Sequence, residues 1–341
     1  MADVEPAPGD GHGTSTTAGT AERLLVLPTA AQLAGTRYAG ARRGSEEAVA
    51  ATGGAVVGTD EEPHGSGDAT ALVIVNPIPV EDVRTALETN PGITWVQFPF
   101  AGIEAYVPLV RSRPEITWTS AKGTYAPPVA EHALALTLAL LRHLPERVTA
   151  TSWGGCRGKT LNGARAVVLG GGGIAQEYIR LLKAWDTHVT AVRRRDGDVP
   201  GADVTVTTDR LDEVLVEADV VMLAAAATAQ TRGIIGARQL ELMRTDAVLV
   251  NVGRGVLVDT DAVTAAVAAG SIQGFATDVT DPEPLPAGHP LWDEPRCLIT
   301  PHTADTPEMC IPLLDARIRR NLAARTEGRE LEGLVDAEGG Y

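Results

Sequence analysis

The chain has 341 residues, with 29 Lys and Arg against 44 Asp and Glu for a formal net charge of −15, 44% apolar residues and only 4% aromatics. That length allows two domains with real cores, and an acidic chain whose longest basic block is Arg193-Arg194-Arg195 repels phosphate backbones, which argues against a nucleic-acid partner. The most apolar stretch, residues 133–141, is far too short to span a bilayer and the N-terminus shows no basic-then-apolar leader pattern, so no membrane partner is expected and a cytoplasmic location is.

Residues 1–20 are Gly, Pro, Ser, Thr, Ala and Asp with almost no bulky apolar side chain, a composition that predicts a disordered tail. From Arg23-Leu24-Leu25-Val26-Leu27 onward, short apolar runs alternate with Ala-rich helical segments, at 71–75, 83–87 and 94–98. Fully apolar strands alternating with helices predict a parallel sheet covered on both faces. Residues 130–142, rich in Ala and Leu after Pro127-Pro128, predict a helix buried on most sides, by the second domain or by another subunit.

Strand runs then follow at 166–169, 189–192, 220–223, 247–250, 275–277 and 297–299, separated by helical stretches, which predicts a doubly wound nucleotide-binding domain. Three cysteines, Cys156, Cys297 and Cys310, form no CxxC pair and no disulfide framework. The seven histidines lack metal-ligand spacing, so no metal is expected.

Gly170-Gly171-Gly172-Gly173-Ile174-Ala175 comes directly after the strand at 166–169 and directly before a helix. In that context Gly170 permits the tight turn, Gly172 lets backbone approach a pyrophosphate, and Ala175 allows close helix–strand packing; the pyrophosphate lies against free N–H groups at the helix start. A ligand-free flexible loop is the competing reading, but it sits poorly between a core strand and a core helix. At the end of the second strand an acid would bind the adenosine ribose, whereas an arginine pairs with a 2′-phosphate. Arg193 and Arg194 stand there, so NADP(H) is expected over NAD(H), with a plain solvated basic loop as the alternative.

Four ordered segments carry a resemblance: Asn251-Val252-Gly253-Arg254-Gly255, Asp278-Val279-Thr280-Asp281-Pro282-Glu283-Pro284, Pro290-Leu291-Trp292 and Thr300-Pro301-His302. With the glycine turn, they resemble the D-isomer-specific 2-hydroxyacid dehydrogenase family, closest to its glyoxylate/hydroxypyruvate reductase-like members. The resemblance implies an α/β fold of two Rossmann-like or flavodoxin-like doubly wound domains. Residues 21–122 plus 303–341 would form the substrate domain and residues 123–302 an inserted dinucleotide-binding domain, with hinges at 122–125 and 300–303. It implies Arg254, Glu283 and His302 as the catalytic set. Ala101 and Gly102 would give backbone donors to the substrate carboxylate alongside Arg254. Gly170, Gly172, Gly173, Ile174, Arg193, Arg194, Ala225, Val252 and Asp278 would meet the cofactor, Asp278 at the nicotinamide carboxamide, and the helix beginning Ala130-Glu131-His132 would pack across a homodimer.

The residue chemistry agrees. A planar guanidinium suits a carboxylate beside a carbonyl, a histidine can supply the proton as hydride arrives, and a neighbouring carboxylate favours the imidazolium that gives it. Taken singly, Arg254, Glu283 and His302 have ordinary structural readings; as an ordered set they predict reduction of a 2-keto acid. Two departures stand out. Ala225-Ala226-Ala227-Thr228 lacks a proline common beside the cofactor, and Asp305 stands where a small residue is usual, placed to contact His302 or narrow the pocket. The competing functions are an NAD(P)-sensing binding protein and formate or phosphite oxidation, the formate reading being disfavoured by Glu283.

Overall fold

The computed structural model describes residues 21–336, so the tail expected at 1–20 lies outside the described residues. The first sheet contains β1 (Arg23–Leu27), β2 (Ala55–Val57), β3 (Ala71–Ile74), β4 (Trp95–Gln97) and β5 (Thr117–Thr119), in the order β2-β1-β3-β4-β5. The second contains β6 (Arg165–Leu169), β7 (His188–Arg193), β8 (Val204–Thr207), β9 (Val220–Leu223), β10 (Val248–Asn251), β11 (Gly274–Thr277) and β12 (Cys297–Ile299), in the order β12-β11-β10-β9-β6-β7-β8. All these strand pairs are parallel. The first order is flavodoxin-like and the second Rossmann-like, so both expected doubly wound sheets are present.

Period-two alternation explains why the strands are apolar throughout. Leu25, Leu27, Leu72 and Ile74 face one core of the first sheet, while Leu24, Val26, Ala71 and Val73 face the other. In the second sheet, Ala166, Val168, Met222 and Val250 point to one side and Val167, Leu169, Leu223 and Leu249 to the other. Each such Val, Leu, Ile or Met side chain gains roughly 1.5–3 kcal/mol by burial, so a polar residue on either face would be costly.

The run at 83–87 belongs to the helix Val80–Thr89, where Val83, Ala86 and Leu87 recur at helical spacing and are buried. The long apolar helix is Ala126–Leu141, with its prolines in the first turn. It packs on the second sheet: Val129, Ala133, Leu136 and Leu140 join the core containing Tyr178, and Thr137 Oγ1 lies 2.7 Å from the Tyr178 hydroxyl.

After β12 the chain returns to the first sheet. Leu314, Ile318 and Leu322 of the helix Pro307–Thr326 pack with Leu24, Val26 and Trp95. From this helix the buried Arg317 donates to the carbonyls of Ser120 and Lys122, both at 3.1 Å, and pairs with Glu332 at 2.9 Å. The Ser120 N–H donates to the Gly333 carbonyl and the Val335 N–H to that of Trp118, which covers the β5 edge. Among the described residues, no helix is long and apolar enough to cross a membrane.

Candidate active site

The glycine turn lies where the second sheet reverses strand order, between the ends of β6 and β9. Gly170 has φ +131°, and a Cβ there would stand 2.7 Å from the Ala224 carbonyl oxygen, so only glycine fits. At Gly172 a Cβ would face open space, leaving the backbone exposed at the start of the helix Gly173–Lys183. Gly173 packs the other way: its Cβ would meet Gly123 Cα at 2.9 Å, where the chain crosses between the sheets. The buried Ala175 in the first turn keeps helix and strand close. Ile174 is partly buried against the same core.

Arg193 ends β7 and folds back over this turn. Its Nε is 3.6 Å from where a Cβ on Gly171 would stand, and its Nη1 donates to the Gly197 carbonyl at 3.4 Å. Arg194 follows it in the loop after β7. Arg195 instead approaches Asp336, at 3.8 Å. Ala225 lies in the crevice, its nitrogen 3.2 Å from the Cβ position of Gly170 and its oxygen 3.1 Å from that of Gly253. Val252 is 6% exposed and packs in the core, its N–H donating to the Leu223 carbonyl at 3.2 Å. The loop that lacks proline is braced by Thr231, whose hydroxyl donates to the Ala226 carbonyl at 2.7 Å and accepts the Thr228 N–H at 2.8 Å.

Arg254, Glu283 and His302 follow the carboxyl ends of three adjacent strands, β10, β11 and β12. Buried Asn251 shapes the first loop, accepting from the Gly253 N–H at 3.1 Å and donating to the Arg254 carbonyl at 3.0 Å. That loop packs on the second, since a Cβ on Gly255 would fall 2.0 Å from the Thr280 carbonyl carbon. His302 Nδ1 contacts Glu283 Oε1 at 2.6 Å. An ionised carboxylate only accepts, so the ring proton lies on Nδ1 and Nε2 is the nitrogen available to a substrate. Both side chains are about half exposed.

His302 has φ +52°, a left-handed backbone that costs free energy unless its neighbours hold it. Asp278 does so. The His302 N–H donates to the Asp278 carbonyl at 2.9 Å, and the buried Asp278 carboxylate accepts from Thr303 N–H (2.9 Å), Ala304 N–H (3.0 Å) and the Thr300 hydroxyl (2.6 Å). The Thr300 hydroxyl has given up its one proton, so it accepts from His132 Nε2 at 2.9 Å. The chain of contacts ties the helix Ala126–Leu141 to the His302 loop. Asp305 hydrogen-bonds Cys310; burial, then this carboxylate, push the Cys310 thiol up to about 12.

Across the cleft, Gly102 follows β4 in the first sheet. The place its Cβ would take is 2.5 Å from Arg254 Nη2, so the guanidinium lies directly against this backbone. Ala101 precedes it and is exposed. Arg254 Nη1 donates to its neighbour's carbonyl, Gly253 O, at 2.8 Å.

A family model described as D-isomer specific 2-hydroxyacid dehydrogenase, NAD binding domain, matches residues 134–304. The chain belongs to the D-isomer specific 2-hydroxyacid dehydrogenase family. This dehydrogenase is 38% identical to an "uncharacterized protein in proB 3'region" of Corynebacterium melassecola, over 73% of this chain and 84% of that one. It is 29% identical to a glyoxylate reductase of Aeropyrum pernix, over 64% of this chain and 69% of the relative. A solved D-isomer specific 2-hydroxyacid dehydrogenase of Xanthobacter autotrophicus Py2, in complex with NADPH and MES, shares the fold at TM-score 0.76 and 24% identity, covering 94% of this chain and all of that one.

The dehydrogenase is thus an NAD(P)-dependent 2-hydroxyacid enzyme with a nicotinamide dinucleotide as cofactor. Its residues fit that group. The open backbone at Gly172, the helix start behind it and the guanidinium over Gly171 would cradle its linked phosphates.

Proposed function

We propose that this dehydrogenase reduces short 2-keto acids of the glyoxylate and hydroxypyruvate kind to D-2-hydroxy acids, with NADP(H) preferred and NAD(H) the weaker alternative. The observation that carries this reading is the meeting of Arg254 with Gly102 across the two sheets, beside the His302–Glu283 pair on the neighbouring strand ends. Residues 21–122 with 303–341 would form the substrate lobe and 123–302 the dinucleotide lobe.

Arg254 and the N–H groups of Ala101 and Gly102 would hold the substrate carboxylate, while the guanidinium polarises the adjacent carbonyl. The nicotinamide, when bound, supplies the hydride. As charge builds on the carbonyl oxygen, His302 Nε2 would deliver a proton, and Glu283 on Nδ1 would hold the ring in place and balance its positive charge. Glu283 would be superfluous for formate oxidation, where no carbonyl oxygen needs a proton. Arg193 and Arg194 would pair with the 2′-phosphate of NADP(H).

Initial rates on glyoxylate, hydroxypyruvate, pyruvate and an aryl keto acid, each with NADPH and NADH, test the reading. The expected kcat/KM favours NADPH by about tenfold or more, and Arg193→Ala should remove most of that margin. A preference for NADH would overturn the phosphate assignment. Absence of turnover on every keto acid, with NADPH binding retained, would replace the enzyme by a cofactor-sensing binding protein.

We also infer a homodimer on the outer side of the helix Ala126–Leu141 and the segment after it. In that segment Leu144 is 44%, Val148 77% and Trp153 fully exposed, large apolar side chains that a partner copy would cover. Light scattering should return twice the 35.6 kDa chain mass; a monomer at tens of micromolar would remove this interface.

A further inference from the structure

We propose that Glu104 is a specificity-determining residue, which selects keto acids bearing a hydrogen-bond donor on the carbon next to the carbonyl and rejects those with a second carboxylate. The inference rests on the keto-acid reading above and narrows its substrate class.

Three groups meet at one point in the cleft. The position a Cβ on Gly102 would take lies 2.5 Å from Arg254 Nη2, 2.6 Å from Glu104 Oε2 and 3.1 Å from Glu104 Oε1. Glu104 opens the short turn Glu104–Tyr106, and its Oε1 lies 3.9 Å from Arg254 Nε. The carboxylate therefore stands beside the backbone and the guanidinium that would receive a substrate, in the seat's wall.

That placement has a chemical consequence. A substrate whose own carboxylate is held by the Gly102 N–H and Arg254 lies within a few ångström of a second, fixed negative charge. Arg254 can offset one anion well; it is already shared with Glu104. A hydroxyl on the substituent carbon can donate to Glu104, whereas a carboxylate further along the substrate adds a third anion around one cation. Discrimination of this kind works through a repulsive element as much as an attractive one. Both Glu104 and Arg254 are about half exposed, so solvent screens the repulsion and the expected discrimination is moderate, on the order of tenfold.

The test compares matched pairs with the full-length enzyme and NADPH: pyruvate against hydroxypyruvate, and 2-oxovalerate against 2-oxoglutarate, which differ by a hydroxyl and by a terminal carboxylate. In the parent, kcat/KM should favour hydroxypyruvate and 2-oxovalerate. Glu104→Gln should raise the 2-oxoglutarate to 2-oxovalerate ratio by about tenfold, through KM more than kcat, with NADPH affinity unchanged. Glu104→Asp, which keeps the charge, should hold the ratio closer to the parent's. Retained keto-acid turnover with both ratios unchanged in Glu104→Gln overturns the role of Glu104 and leaves the keto-acid reading intact. No turnover by the parent on any of the four acids overturns both.

Discussion

Replacing His302 by asparagine is expected to lower keto-acid reduction by about three orders of magnitude while leaving NADPH affinity within about twofold. Asparagine is the informative choice because residue 302 has φ +52°, a conformation asparagine tolerates better than alanine does. The loss then reports the missing imidazole and not a relaxed loop. Glu283 takes Nδ1, which would leave Nε2 for a substrate, so in the proposed reaction no other group described at the site would replace the proton source. Single-turnover rates and a fluorescence titration of NADPH separate the two effects. Parent-like turnover in His302→Asn would take the imidazole out of the reaction.

Arg254→Ala should cost about a thousandfold in kcat/KM, shared between a higher KM and a lower kcat, because in the proposed reaction one side chain would both seat the substrate carboxylate and polarise its carbonyl. Arg254→Lys keeps a positive charge and loses the planar fork, so it should recover only a small part of the loss. The guanidinium already lies against Gly102, which makes binding and polarisation properties of one position. A change confined to KM would reduce Arg254 to an anchor; no change in either parameter would remove it from the site.

Much of this arrangement could be read from the chain, for reasons tied to particular residues. The strands β3, β6, β9 and β10 are apolar on both faces because helices cover both faces, and that run pattern survives in one dimension. The site motifs sit on strand ends, so their order along the chain mirrors their order across the sheet. The short strands β2, β5 and β8 lie at sheet edges: β2 has only three residues, and β5 and β8 carry Thr117, Thr119, Thr205 and Thr207, too polar to announce themselves. The helix Pro307–Thr326 has Pro312 inside it and charged residues around it, so its buried side emerges only against the first sheet. Glu104 lies 150 positions from Arg254, and Thr231 braces a loop by hydroxyl contacts that no spacing rule encodes. Asp305, three positions beyond His302 in the chain, bonds Cys310, a contact that no spacing announces.

The return of the chain after β12 has a mechanical implication. The polypeptide passes between the two sheets twice, once near Gly123 and once beyond Thr300, and the C-terminal helix is riveted to the first passage by Arg317. A body joined to another by one tether can swivel in any direction; joined by two, it retains one easy rotation, about the line through both. A door on a pair of pins swings this way, and here such a rotation would change the separation of Gly102 and Arg254.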